Sequence, residues 1–187
     1  MFRLFNVIIS ALAAIFLIER FKSRGNPVGT PIRRYKFHRQ KKEAAAPNDT
    51  FMDFRDKRLT DISKLSDCIN LIEVILSDNK ITDISPLGSL INLKRLHLTR
   101  NRISDLSPLS GLLNLEYLDL RYNQIDNITS LSSLENLESL DIGNNQVSDL
   151  SPLHSLTKLR TLKIRGNQIS EEQIKNLKNA LPNCVIY

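Results

Sequence analysis

From residue 71 onward, apolar and polar positions recur every 22 residues. Aligned on that period, the chain reads LKRLHLTRN (93–101), LEYLDLRYN (115–123), LESLDIGNN (137–145) and LRTLKIRGN (159–167). The first, fourth and sixth positions are apolar, as in Leu93, Leu96 and Leu98 or Leu115, Leu118 and Leu120. Alternation across the fourth to sixth positions predicts a short strand with one buried face. An asparagine follows each strand, at Asn79, Asn101, Asn123, Asn145 and Asn167. A buried amide is costly unless paired, so these five are expected to bond backbone groups of adjacent turns. The second half of each unit carries Asp-Ile/Leu-Ser-Pro-Leu, at 83–87, 105–109 and 149–153. Serine then proline suits the start of a short helical or 3-10 turn, the hydroxyl capping free amides and proline standing where no amide bond is needed. One unit departs, with Asn127-Ile128-Thr129-Ser130-Leu131, but keeps both apolar positions. Leu90, Leu112, Leu134 and Leu156 complete the buried row.

Full units run 71–92, 93–114, 115–136, 137–158 and 159 onward, with a degenerate one at about 49–70. A single unit cannot bury its own apolar face, whereas stacked units share a continuous core and present a long curved surface. The expected fold is an α/β solenoid with a parallel concave β-sheet and short helical or 3-10 convex turns. Repeats occupy 51–170 and a C-terminal helix cap occupies 171–187. The cap opens on Ser170-Glu171-Glu172-Gln173, a capping-box spacing. Ile174, Leu177 and Leu181 mark one helical face, Pro182 stops the helix, and 183–187 adds a closing strand. At the other end Phe51, Met52 and Phe54 replace leucines and Lys57 replaces the asparagine, which suits an N-terminal cap.

These motifs resemble the 22-residue leucine-rich repeats of the internalins and of the SDS-type regulatory subunit of the type-1 protein phosphatase. The Asp-Ile-Ser-Pro-Leu tract leans toward the internalin form. The resemblance covers 51–187 and implies a binding fold, since such repeats serve many unrelated partners. Its internalin branch implies an exported or surface-displayed binding protein, its other branch a phosphatase-regulating subunit.

Charge divides the chain. The total is +6, but residues 1–48 hold ten Lys or Arg against Glu19 and Glu43, a net of +8, leaving −2 for 49–187. A nucleic-acid-binding solenoid is therefore not expected. Leu4 to Ile18 is an uncharged, mainly apolar run of 15 residues, so 1–24 reads as a membrane anchor or a signal segment. The basic residues that follow it favour an uncleaved N-terminal membrane helix with the repeats facing the cytosol. A secreted or surface location is the alternative. Residues 25–50, rich in Pro, Gly and like charge, read as a tether. Within it Arg33, Arg34, Lys36, Arg39, Lys41 and Lys42 are placed to attract anionic lipid. Cys68 and Cys184 lie several turns apart, too far for a disulfide, and are expected to be small buried hydrophobes.

The outward strand positions define the concave face. Its centre gathers Arg95, His97, Arg100, Tyr117, Asp119, Arg121 and Tyr122, with Asp141 and Lys163 beside them. Tyrosine and arginine are enriched where interfaces draw their energy, so these nine are the expected partner-binding residues. Asp119 is placed to pair with His97, Arg95 or Arg121 across strands. His38, His97 and His154 fall on tether, concave face and convex turn, where they cannot meet at one metal. No Gly-rich phosphate loop or nucleophile elbow is present, and an open sheet lacks the pocket that acid–base chemistry needs. No cofactor and no enzymatic activity are expected; the partner is a protein.

Overall fold

The computed structural model describes residues 50–187. The apolar run 4–18 and the basic cluster 33–42 lie outside the described residues. Among the described residues no helix is long and apolar enough to cross a membrane.

Seven short parallel strands follow one another in chain order: β1 (Phe51–Asp53), β2 (Glu73–Ile75), β3 (Arg95–His97), β4 (Tyr117–Asp119), β5 (Ser139–Asp141), β6 (Thr161–Lys163) and β7 (Val185–Ile186). From β1 to β6 each residue pairs with the one 22 positions on, so Leu96 faces Leu118 and Leu118 faces Leu140. The register is therefore the sequence period. On the opposite side the chain returns through 3-10 turns at Ser63–Asp67, Ser85–Ser89, Ser107–Leu109, Thr129–Ser133 and Ser151–Leu153. Seven apolar positions of each turn stack into rows that run the length of the solenoid. The row Leu87, Leu109, Leu131 and Leu153 is fully buried, and so is Leu90, Leu112, Leu134 and Leu156. Burying one such side chain contributes roughly 1.5–3 kcal/mol, so the rows supply the main driving force.

The asparagine row behaves as expected. Asn101 Oδ1 accepts from the Ile81 amide at 3.0 Å, one turn back, while its Nδ2 donates to the carbonyls of Leu76 and Leu98 at 3.0 and 3.1 Å. Asn123 and Asn145 repeat all three bonds one and two turns later. Each amide thus ties its own strand end to the previous turn.

Two local expectations are corrected. The Ser-Pro turns are not capped by serine. The aspartate two residues earlier accepts from the serine amide, as Asp83, Asp105 and Asp149 each do at 2.8 Å, and the hydroxyls of Ser107 and Ser151 donate to the same carboxylates. That amide bond is the main reason the pKa of each of these aspartates is lowered. Asn127 makes the same bond to Thr129, which explains why that unit tolerates its departure. Phe51 does not replace a buried leucine. It pairs with Glu73, an outward position, and is half exposed, while Met52 and Phe54 take the inward places.

The C-terminal end closes with α1 (Glu171–Ala180) and β7. Ser170 Oγ accepts from the Gln173 amide, the forward half of a capping box. Gln173 Oε1 accepts instead from the Leu150 amide at 3.1 Å, fastening the helix to the last 3-10 turn. The two cysteines form no disulfide with each other. Cys184 is buried as expected, whereas Cys68 is only half-buried.

Candidate functional site

The concave sheet places the third, fifth, seventh and eighth residues of each unit on one face, because alternate strand side chains point away from the core. Of the nine sequence-predicted residues, the structure brings eight into three adjoining clusters, and Lys163 flanks them through Asp141.

Glu73 is the hub of the first cluster. Its Oε1 lies 3.1 Å from His97 Nε2 and 3.6 Å from Arg95 Nε. The His97 ring sits 4.8 Å from that of Tyr117, and the Arg95 guanidinium lies over the same tyrosine at 4.8 Å. Burial of this tyrosine is the main reason its hydroxyl pKa is raised. Glu73 was absent from the expected site because a single carboxylate at an outward position carries no distinguishing signal.

Asp119 and Asp141 form the second cluster, and here the expectation changes. Both carboxylates are buried rather than presented to solvent. Asp119 pairs neither with His97 nor with Arg95. Arg121, two residues on in the same chain segment, folds back and grips it through Nε at 3.1 Å and Nη2 at 2.9 Å. The same guanidinium reaches Asp141 at 3.6 Å, and Lys163 approaches Asp141 from the other side at 3.8 Å. Burial pushes the Asp141 carboxyl above the usual range, opposed by the Gly143 amide it accepts from. Burial also works against the Arg121 charge, but the Asp119 hydrogen bond and charge outweigh it and its pKa is raised.

The third cluster stands at the eighth position of consecutive turns. Arg100 lies over the Tyr122 ring at 5.2 Å and 3.6 Å from Asp78. Every turn adopts left-handed backbone at this position: Asp78 (φ 59), Arg100 (φ 54), Tyr122 (φ 55), Asn144 (φ 55) and Gly166 (φ 75). Asp, Asn and Gly tolerate that region, whereas arginine and a bulky tyrosine are strained in it. The signal was present in the sequence as a column of turn-forming residues broken twice.

Sequence reasoning also missed two rows on the return path. Asn92, Asn114 and Asn136 donate to the carbonyls of Ile69, Ile91 and Leu113, one turn back. Ser89, Ser133 and Ser155 bond the preceding turn in the same manner.

The family pattern described as Leucine Rich repeats (2 copies) matches residues 69–111, 91–133, 113–154 and 135–179. The chain belongs to the leucine-rich-repeat family. Internalin C2 of Listeria monocytogenes is 37% identical to it over 73% of this chain and 69% of that one, with a TM-score of 0.60. Internalin InlF of the same organism is 30% identical, covering 69% of this chain and 44% of that one, with a TM-score of 0.57. The repeats are thus internalin-like, although this leucine-rich-repeat chain spans less than half the length of InlF. The leucine-rich-repeat ectodomain of the Arabidopsis thaliana receptor kinase SOBIR1 is 29% identical over 63% of this chain and 70% of that one, with a TM-score of 0.55. Among curated protein sequences, none matches this one.

Proposed function

We propose that this leucine-rich-repeat protein is a non-enzymatic binding module that engages a partner protein through its concave face. The observation that supports it most is the pair Arg100 and Tyr122, exposed and stacked on left-handed backbone where other turns use Asp, Asn or Gly. Strain retained at exposed residues is characteristic of positions held for what their side chains contact. Arg95, His97 and Tyr117 extend the surface, while Arg121, Asp119, Asp141 and Lys163 form its charged floor and flank. A photo-crosslinking residue in place of Tyr122 should couple to a partner protein, and the same residue in place of Ser132 on the convex turn should not. Equal coupling from both positions would move the interface away from the concave face.

For the setting, the internalin-like repeats and the resemblance to a receptor ectodomain favour an exported or surface-displayed protein. In that case residues 1–24 direct export and 25–50 act as a spacer before the repeats at 51–170 and cap at 171–187. The second reading, a membrane-anchored protein with cytosolic repeats, is supported by the basic residues that follow the run 4–18. Arg33, Arg34, Lys36, Arg39, Lys41 and Lys42 would then lie against anionic lipid. Protease treatment of intact cells carrying a C-terminal tag separates the two: export exposes the tag, and a cytosolic tether protects it.

A further inference from the structure

Acidic and basic side chains are nearly balanced in number on the concave face, but they lie at different depths. In each of its five contacts between a Lys or Arg and a carboxylate, the cation is the more exposed member. Arg121 is 43% exposed above Asp119 at 4%, and Lys163 is 53% above Asp141 at 11%. Arg95 is 48% beside Glu73 at 28%, and Arg100 is 64% beside Asp78 at 38%. Long cationic side chains reach over short carboxylates, and the sheet fixes the short ones close to the backbone. A partner approaching this face meets guanidinium and ammonium groups first.

Those groups retain donors. Arg95 and Arg100 stand 3.6 Å from their carboxylates, beyond hydrogen-bond distance. Each guanidinium lies over a tyrosine ring, at 4.8 and 5.2 Å from its centroid, a contact that uses none of the N–H donors and leaves them available to a carboxylate. Arg165, at the seventh position of the β6 turn, is exposed and has no ion pair among the described residues. With parallel strands about 4.8 Å apart, the three turns from Arg100 to Arg165 span roughly 14 Å, the reach of four or five extended residues.

We infer that the partner is engaged through an acidic, extended protein segment whose carboxylates bridge Arg95 and Arg100 at one end and Lys163 and Arg165 at the other. This rests on the concave-face reading above and specifies the chemistry of its partner. A protein segment fits better than a nucleic acid because residues 49–187 carry a net charge of −2. The cationic strip is local, and a long polyanion would also meet the acidic remainder of the surface.

Selection of a random peptide library displayed on phage against the full chain tests this, with affinities of recovered peptides measured by fluorescence anisotropy. The expected peptides are enriched in Asp and Glu. They should lose about tenfold or more in affinity on Arg100→Glu with Arg165→Glu, and weaken steeply with salt. Thermal melting of that variant verifies that it remains folded. Peptides that lose binding on Tyr122→Ala but carry no acidic enrichment would overturn the acidic segment and leave the concave interface standing. A selection yielding only peptides indifferent to all of these substitutions would overturn both. Equal affinity for a single-stranded oligothymidylate, displacing the acidic peptides, would overturn the protein segment in favour of nucleic acid.

Discussion

The asparagine row and the eighth-position row run side by side along the solenoid, one residue apart in sequence, and obey opposite rules. In the first, the same amide makes the same bonds to strand end and previous turn at Asn79, Asn101, Asn123, Asn145 and Asn167. In the second, the backbone conformation repeats while the residue changes, from Asp78 to Arg100, Tyr122, Asn144 and Gly166. Repetition of a side chain marks what every turn requires. Repetition of geometry without the side chain marks a place where the fold sets only the backbone. In such a place Arg100 and Tyr122 are free to answer to something outside the chain.

That contrast can be broken from either side. The largest effect is expected from Leu118→Asp, which buries an unpaired charge in the central row. A loss of about 3–5 kcal/mol or complete unfolding should appear in circular-dichroism melts. Asn101→Ala should come next, at about 1–3 kcal/mol in urea unfolding, because it strands the Ile81 amide and takes one of two amide donors from each of the Leu76 and Leu98 carbonyls. Arg121→Ala lies on the boundary between the two rows' behaviour. It removes an outward residue but leaves Asp119 buried without its cation, so about 1–2 kcal/mol should be lost after allowing for the exposure of the arginine. Adding Asp119→Ala should restore part of that loss. An Arg121→Ala variant as stable as the parent would show that Asp119 draws its stabilisation elsewhere.

Smaller effects sharpen the contrast further. Tyr122→Asn should leave stability unchanged or raise it by about 0.5–1 kcal/mol, since asparagine accepts the left-handed region, while partner capture falls. A clear loss of stability would assign Tyr122 to the fold. The pH response isolates the turn caps. Asp83, Asp105 and Asp149 have lowered pKa values when folded, so their contribution is complete above the ordinary carboxylate value and is lost as pH falls through the folded one. Asp141, whose pKa is raised, contributes in the opposite sense and gains as pH falls through its folded value. Replacing the three caps together by Asn, the residue that serves at position 127, should keep the neutral melting temperature and move acid unfolding to lower pH.

Most of the architecture was legible because period and register are the same quantity: one 22-residue step in sequence is one strand spacing in the sheet. The apolar rows, the asparagine bonds and the closing helix follow from that. The cap inside each Asp-Leu-Ser-Pro tract was assigned to the wrong residue because both Asp and Ser are capping types. Only the two-residue reach of the Asp105 carboxylate to the Ser107 amide decides between them. On the concave face, sequence gave positions but not depth. Ile75, Asp119 and Lys163 share the fifth position, yet the first two are buried and the third is exposed. The difference lies in the neighbours, since Arg121 folds over Asp119 and nothing comparable covers Lys163.

Among the described residues the backbone of each strand and each 3-10 turn lies close only to that of its neighbours along the stack. No turn therefore depends on how many others exist beyond its neighbours. Whole units could be duplicated or excised in register by recombination, with the hydrogen-bonded seams rejoining across the cut. The length of the proposed binding face would thus be inherited as a number of copies, adjustable in steps of 22 residues, while on that proposal point substitutions at Arg100 or Tyr122 would change what the face recognises.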